Sequence, residues 1–176
     1  MEIRTSLGTK NLIIAALFIA LSFIGSYIKI FSTIAFDSLP GFLSAVLLGP
    51  AYGAAIGFLG HIFTALTSGF PLSLPMHLVI AFSMAITMLV FGLIFQRLTG
   101  KIQIKYNIII TGFAGVFFNG PVSLVMSMGA LALMAGPEAA AGLLAMLPAL
   151  LFASTVNIFI CFVLYKPLRD IWEKIK

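Results

Sequence analysis

The sequence predicts an all-α integral membrane protein, a six-transmembrane-helix bundle with its N- and C-termini cytoplasmic. Three observations carry this: the composition, the lengths of the apolar runs, and the placement of lysine and arginine. Hydrophobic residues make up 61% of the 176 and charged residues 9%, with a mean hydropathy of +1.18. A soluble domain carries about a quarter charged residues, so this surface could not be hydrated. The length predicts one domain over 1–176, without an appended soluble module or an ATPase of its own.

Apolar runs cover 12–28, 39–66, 72–95, 108–134 and 143–164. A span needs about 20 residues, so four of the five read as single helices. The first is long enough to span and lacks a small-residue cleavage site at its end, so it reads as a helix and not as a cleavable signal. The run 39–66 contains Leu48-Gly49-Pro50, and glycine followed by proline punctuates a helix. It therefore divides into a short helix over about 36–48 and another over about 51–67. A helix of about 13 residues rises only about 20 Å, so the short one must tilt or be shielded by its neighbours.

Cationic residues test the count. With six spans and a cytoplasmic start, Arg4, Lys10, Arg97, Lys101, Lys105, Lys166, Arg169, Lys174 and Lys176 fall inside, and only Lys29 falls outside. A five-span reading fares slightly worse. The net charge of +5 then reflects topology and anionic lipid, not an acidic ligand or nucleic acid.

Small residues Gly49, Gly53, Gly57 and Ala65 form a stripe along predicted helix 3, interrupted by His61, which suits close packing inside the bundle. Ala16 and Ala20 form a smaller pair on helix 1, among Leu17, Phe18, Ile19 and Leu21, which would face lipid or a partner. Cys161 lies inside the last run, and as the single cysteine it forms no internal disulfide.

Polar groups in hydrocarbon need a reason. Asp37, His61, His77 and Asn119 all fall in the outer half of the six-helix reading, which suggests an outward-facing pocket. Each has a plainer explanation. Asp37 could cap helix 2, His77 could sit at headgroup level, His61 could bond a neighbouring helix, and Asn119 could serve carbonyls that Pro121 leaves without donors. Asn157 reads as an inter-helix hydrogen-bonding group. Ser123, four residues after Asn119, would extend the polar side of the pocket. Phe31, Phe36, Phe70, Phe117 and Phe118 lie near the same side and suggest aromatic walls for a planar ring. No HExxH or CxxC spacing is present, and Asp37 has no second buried acid to pair with. No metal, catalytic group or bound cofactor is therefore expected.

The run 39–60, Leu-Pro-Gly-Phe-Leu-Ser-Ala-Val-Leu-Leu-Gly-Pro-Ala-Tyr-Gly-Ala-Ala-Ile-Gly-Phe-Leu-Gly, resembles the helix 2–helix 3 signature of S components. These are the substrate-binding subunits of energy-coupling factor (ECF) vitamin transporters. Ala16-Leu-Phe-Ile-Ala20 resembles the motif with which S components dock on the transmembrane coupling (T) subunit. The resemblance implies a non-catalytic subunit of a bacterial cell membrane. It would capture a vitamin-like molecule from outside, dock through Ala16 and Ala20, topple in the membrane and release substrate inward. Two partner ATP-binding subunits would hydrolyse ATP.

The stretch 60–77 is most similar to S components assigned to α-ribazole, a benzimidazole nucleoside used to build cobalamin. On that resemblance Asp37, His61, His77, Asn119, Phe36 and Phe70 are the expected substrate-binding residues. A pterin, flavin or purine derivative would suit the same residues. The alternative from another class is a structural membrane protein of the rod-shape-determining kind, which needs no convergent polar groups. An intramembrane enzyme lacks its acids and cysteines.

Overall fold

The computed structural model describes residues 7–30 and 34–175; Arg4, Phe31 and Lys176 of the sequence reading lie outside the described residues. The chain is helical almost throughout. Helix α1 (Leu7–Gly25) leads into a two-residue hairpin, β1 (Lys29–Ile30) and β2 (Ile34–Ala35), in antiparallel register with Lys29 opposite Ala35. Then come α2 (Ser38–Leu47), α3 (Pro50–Ser68) and α4 (Leu74–Leu98). A third rod is α5 (Ile104–Phe117), a π turn (Phe118–Val122) and α6 (Ser123–Ala135). The last is α7 (Pro137–Gly142), a 3-10 turn (Leu143–Met146) and α8 (Leu147–Ile175).

Among the described residues four stretches are long and apolar enough to cross a membrane: Gly8–Gly25, Leu74–Leu98, Ile104–Ala135 and Pro137–Lys174. The short apolar helix α2 and the 19-residue α3, diluted by glycines, His61, Thr64 and Thr67, complete the bundle. The break between α2 and α3 falls at Leu48-Gly49, where Gly49 takes a φ of 119° that other residues rarely adopt, and Pro50 opens α3. Helical structure extends beyond the apolar runs 108–134 and 143–164 at two places. The segment after Gly136 is helical instead of a loop, and the last helix runs through Pro167 into the basic tail. Proline costs α8 one backbone bond, but Tyr165 and Trp172 are buried against the bundle and hold the final turns.

The core gathers where α2 meets α3, α4 and α8. Phe42 and Phe91 meet edge-on with ring centroids 4.7 Å apart, surrounded by Ile56, Met88 and Cys161, all essentially inaccessible. The small stripe on α3 serves this packing. A Cβ added to Gly57 would lie 2.7 Å from Met88 Cγ and 3.3 Å from the Met84 carbonyl, so only glycine lets α4 approach so closely.

On α1, Ala15, Phe18 and Ser22 face inward. Ala16 and Ala20 are exposed among exposed Leu12, Ile13, Leu17, Leu21 and Ile24. Phe18 therefore belongs to the core and not to the outward face expected for it.

The two ends of the bundle differ. One end holds the start of α2, the turn between α3 and α4, and the end of α1, which meet through Ser22, Ser26, Asp37 and Thr67. The other holds Leu48, Gly49, Pro50, Thr99, Tyr165, Arg169 and Trp172 around a groove of about 420 Å³. Arg97, Lys101 and Lys105 flank that second end on the α4–α5 connection.

Candidate ligand-binding site

Asp37 immediately precedes α2, in the capping position, yet its side chain makes no capping hydrogen bond. The carboxylate instead accepts from the Thr64 hydroxyl on α3 through Oδ2. The Ser22 hydroxyl on α1 donates to the Asp37 carbonyl at 3.0 Å, so three helices meet at one residue. Gly60 makes room for the meeting: a Cβ there would stand 3.1 Å from both the Asp37 carbonyl oxygen and Ser22 Cβ.

His61 lies three residues before Thr64 and so shares its helix face. Its Nδ1 stands 3.9 Å from Asp37 Oδ2. Its Nε2 is 3.1 Å from His77 Nδ1 on α4, with the rings stacked at 5.3 Å and 29°. One nitrogen of that pair must carry the proton. Placing a proton on His61 Nδ1, toward the carboxylate, makes His61 Nε2 the acceptor and His77 Nδ1 the donor. His77 Nε2 then remains a buried lone pair, and it has no hydrogen-bond partner.

His77 is fully buried. Phe70 meets it edge-on at 5.8 Å. The turn that brings them together holds Phe70 at φ 52° and Ser73 at φ 82°, positions that cost side-chain-bearing residues about 1 kcal/mol or more each.

The facing wall comes from the third and fourth rods. Asn119 sits in the π turn, where Pro121 lacks the N–H that would continue an α-helix. Its amide serves a neighbouring helix and not the carbonyls near Pro121: Nδ2 donates to Ser154 Oγ on α8 at 2.7 Å. Asn119 Oδ1 is buried without a partner. Asn119, Ser123 and Ser127 follow at four-residue intervals, and all three line a cavity.

That cavity measures about 90 Å³ and receives Asp37, Ser38 and His61 from the first wall. Its remaining surface is aliphatic, with Leu72, Ile80, Met84, Leu143, Met146 and Leu150. The structure thus brings Asp37, His61, Asn119 and Ser123 together across one space. His77 stands behind His61, Phe70 behind His77, and half-buried Phe36 outside the lining. The aromatic walls expected from the sequence are replaced, among the described residues, by leucine, isoleucine and methionine. Asn157 also departs from expectation: neither side-chain polar atom has a partner.

Thr64, Ser127 and Ser154 were not singled out by the sequence reading. Thr64 could have been found from its place three residues after His61. Ser127 could have been found from the four-residue series that begins at Asn119. Ser154 carries no comparable signal, because it acts across helices.

The family model described as ECF transporter, substrate-specific component, matches residues 10–169. No curated protein matches the chain. The family match covers nearly the whole sequence, and the chain belongs to the family of ECF substrate-specific components.

Proposed function

Proceeding from that membership, we propose that this chain is the substrate-capture subunit of a bacterial ECF importer and that its ligand is α-ribazole. The observation that carries the reading is the cavity between Asp37–His61 and Asn119–Ser123–Ser127. An apolar space with a few placed polar groups suits a small organic ligand. In α-ribazole the fused ring would lie against the aliphatic side chains, and the ribose hydroxyls would reach the polar walls. The similarity of residues 60–77 to the α-ribazole group supports this choice over a pterin, flavin or purine derivative. The family match leaves the scaffold alternative without support and fits a subunit that catalyses nothing itself.

In this reading the chain crosses the membrane six times with both termini inside. Arg97, Lys101, Lys105 and Arg169 lie at or beside the groove end, which supports placing that end in the cytoplasm and the cavity outside. Exposed Ala16 and Ala20 would meet the T subunit, and two ATP-binding subunits would supply the energy. A cavity of about 90 Å³ is below the ~300 Å³ of ordinary ligand pockets. Capture therefore requires side chains to move, and Met84 and Met146 are flexible enough to do so.

The test is ligand-induced thermal stabilisation of the detergent-purified chain with α-ribazole, cobalamin, folate, riboflavin, thiamine, biotin and queuine. A ligand at a hundred times its Kd adds about 2.7 kcal/mol. Stabilisation by α-ribazole alone, lost in Asp37→Ala and in His61→Ala, is the expected result. No shift with α-ribazole removes the assignment.

A further inference from the structure

We infer that the ligand site continues one helical turn below the cavity to Asn157, whose amide binds a ligand edge that donates one hydrogen bond and accepts another. The inference rests on reading the cavity as the ligand site.

Among the described residues, Asn157 is the one side chain buried with two polar atoms unpartnered. Neither Nδ2 nor Oδ1 has a hydrogen bond, and the residue is fully inaccessible. An unsatisfied amide costs an apolar bundle free energy that a leucine in its place would not. Asn107 is buried to the same degree and uses both ends of its amide to tie helices and turn together. Asn157 performs no such tie.

Its place on α8 points to the cavity. Leu150 and Ala153 line that space, and Asn157 takes the next position on the same helix face. Ser154, which accepts from the Asn119 amide, borders this face on its other side. Four residues carry the helix about 6 Å further, and four more reach Cys161 in the core. Side chains on a helix lean toward its N-terminus, which for α8 is the direction of Ala153 and the cavity. Ala153 and Ser154 are both short, so the turn above Asn157 puts no long side chain in the way.

Across the bundle, α4 supplies Met84 to the cavity and fully buried Met88 one turn further on. Unbranched thioether side chains change rotamer readily. A cavity of about 90 Å³ must grow to hold a nucleoside. Growth toward the aliphatic lining satisfies no polar atom, whereas growth along α8 gives the Asn157 amide its partners.

The amide dictates what it takes. Nδ2 donates and Oδ1 accepts, so the matching edge is a vicinal diol or a ring N–H beside a C=O. In α-ribazole the glycosylated benzimidazole carries no N–H. Its ribose diol therefore enters first, and the ring stays against Leu72 and Leu143. A pterin, flavin or purine derivative would present a lactam edge to the same amide.

The experiment measures affinity of the purified full chain for α-ribazole and its 2′,3′-dideoxy analogue, with riboflavin and N3-methylriboflavin as the lactam pair. The dideoxy analogue should bind about thirtyfold more weakly than α-ribazole. Asn157→Leu should weaken α-ribazole by about the same factor and bring the ratio of the pair close to one. The empty variant should unfold at or above the wild-type temperature. Asn157→Ala, which adds no bulk, should abolish the ratio in the same way.

A ratio unchanged by either substitution overturns the inference while leaving α-ribazole as the ligand. Preference for riboflavin over its N3-methyl form that depends on Asn157, with no response to α-ribazole, removes the α-ribazole assignment and supports the subsite. Riboflavin bound without dependence on Asn157, or no response to either pair, overturns the subsite as well.

Discussion

The two walls of the cavity are built to different standards of closure. On the α2–α3–α4 side helices touch through glycine, and polar groups are used against one another. Thr64 serves Asp37, and His61 is bonded to His77. On the side formed by the third and fourth rods, Asn119 Oδ1 and both polar atoms of Asn157 have no partner. A Cβ added at Gly129 there would meet nothing within 4 Å. Among the described residues the first wall leaves one buried side-chain atom without a partner, His77 Nε2 behind His61, while the second leaves three and so keeps more unspent hydrogen-bonding capacity. A binding site needs both, since a fixed wall orients a ligand only if something opposite remains to be satisfied by it.

The contrast can be broken most severely at its glycines. Gly57→Val should cost about 3 kcal/mol, because Met88 and the Met84 carbonyl must both be displaced. Gly129→Val should be nearly neutral, and thermal unfolding in detergent compares the two. Equal losses would show that the second wall is as tightly built as the first.

A smaller effect separates two asparagines on the same rod. Asn107 donates to the Phe95 carbonyl at 3.0 Å and to Thr99 Oγ1 at 3.1 Å, and accepts from Thr111 at 2.9 Å. Asn107→Leu should therefore destabilise by about 2 kcal/mol. Asn119→Leu removes an unmatched oxygen together with the bond to Ser154 and should cost about 1 kcal/mol in the empty protein, while abolishing ligand-induced stabilisation.

Ser127→Ala sharpens the comparison further. Its hydroxyl bonds back within its own helix, so stability should change by less than about 0.5 kcal/mol. Only ligand affinity should fall. Smallest of all on these measures is the pair Ala16→Phe with Ala20→Phe. Both positions are exposed, so unfolding and ligand affinity should stay as they are. Uptake by vesicles containing the partner subunits should be lost if this face docks.

The helices were legible because apolar run lengths and Gly49-Pro50 act locally. The last turns of α8 were not, since Pro167 suggests a stop and only the packing of Tyr165 and Trp172 overrides it. At the site, Asp37, His61, Asn119 and Ser123 were legible as polar residues in apolar surroundings, and all four line the cavity. The roles behind them were not. Whether His77 touches ligand or supports His61 depends on which helix stands next to α3, and sequence spacing carries no information on that. The phenylalanines misled for a related reason: membership of one end of the bundle does not specify which way a ring turns. Phe70, diverted by a left-handed backbone, packs on His77.

The groove at the opposite end holds the chain's one tryptophan, Trp172, beside Tyr165 and Arg169. The body of α2, ten residues and about 15 Å long, separates that groove from Asp37. A molecule held in the proposed site at Asp37 would touch no indole, so contact quenching would not arise. A shift in the indole emission wavelength when substrate is added would then report displacement transmitted along the helices. The protein thus carries its own optical gauge of whether filling one end rearranges the other, without a label and before any partner subunit is present.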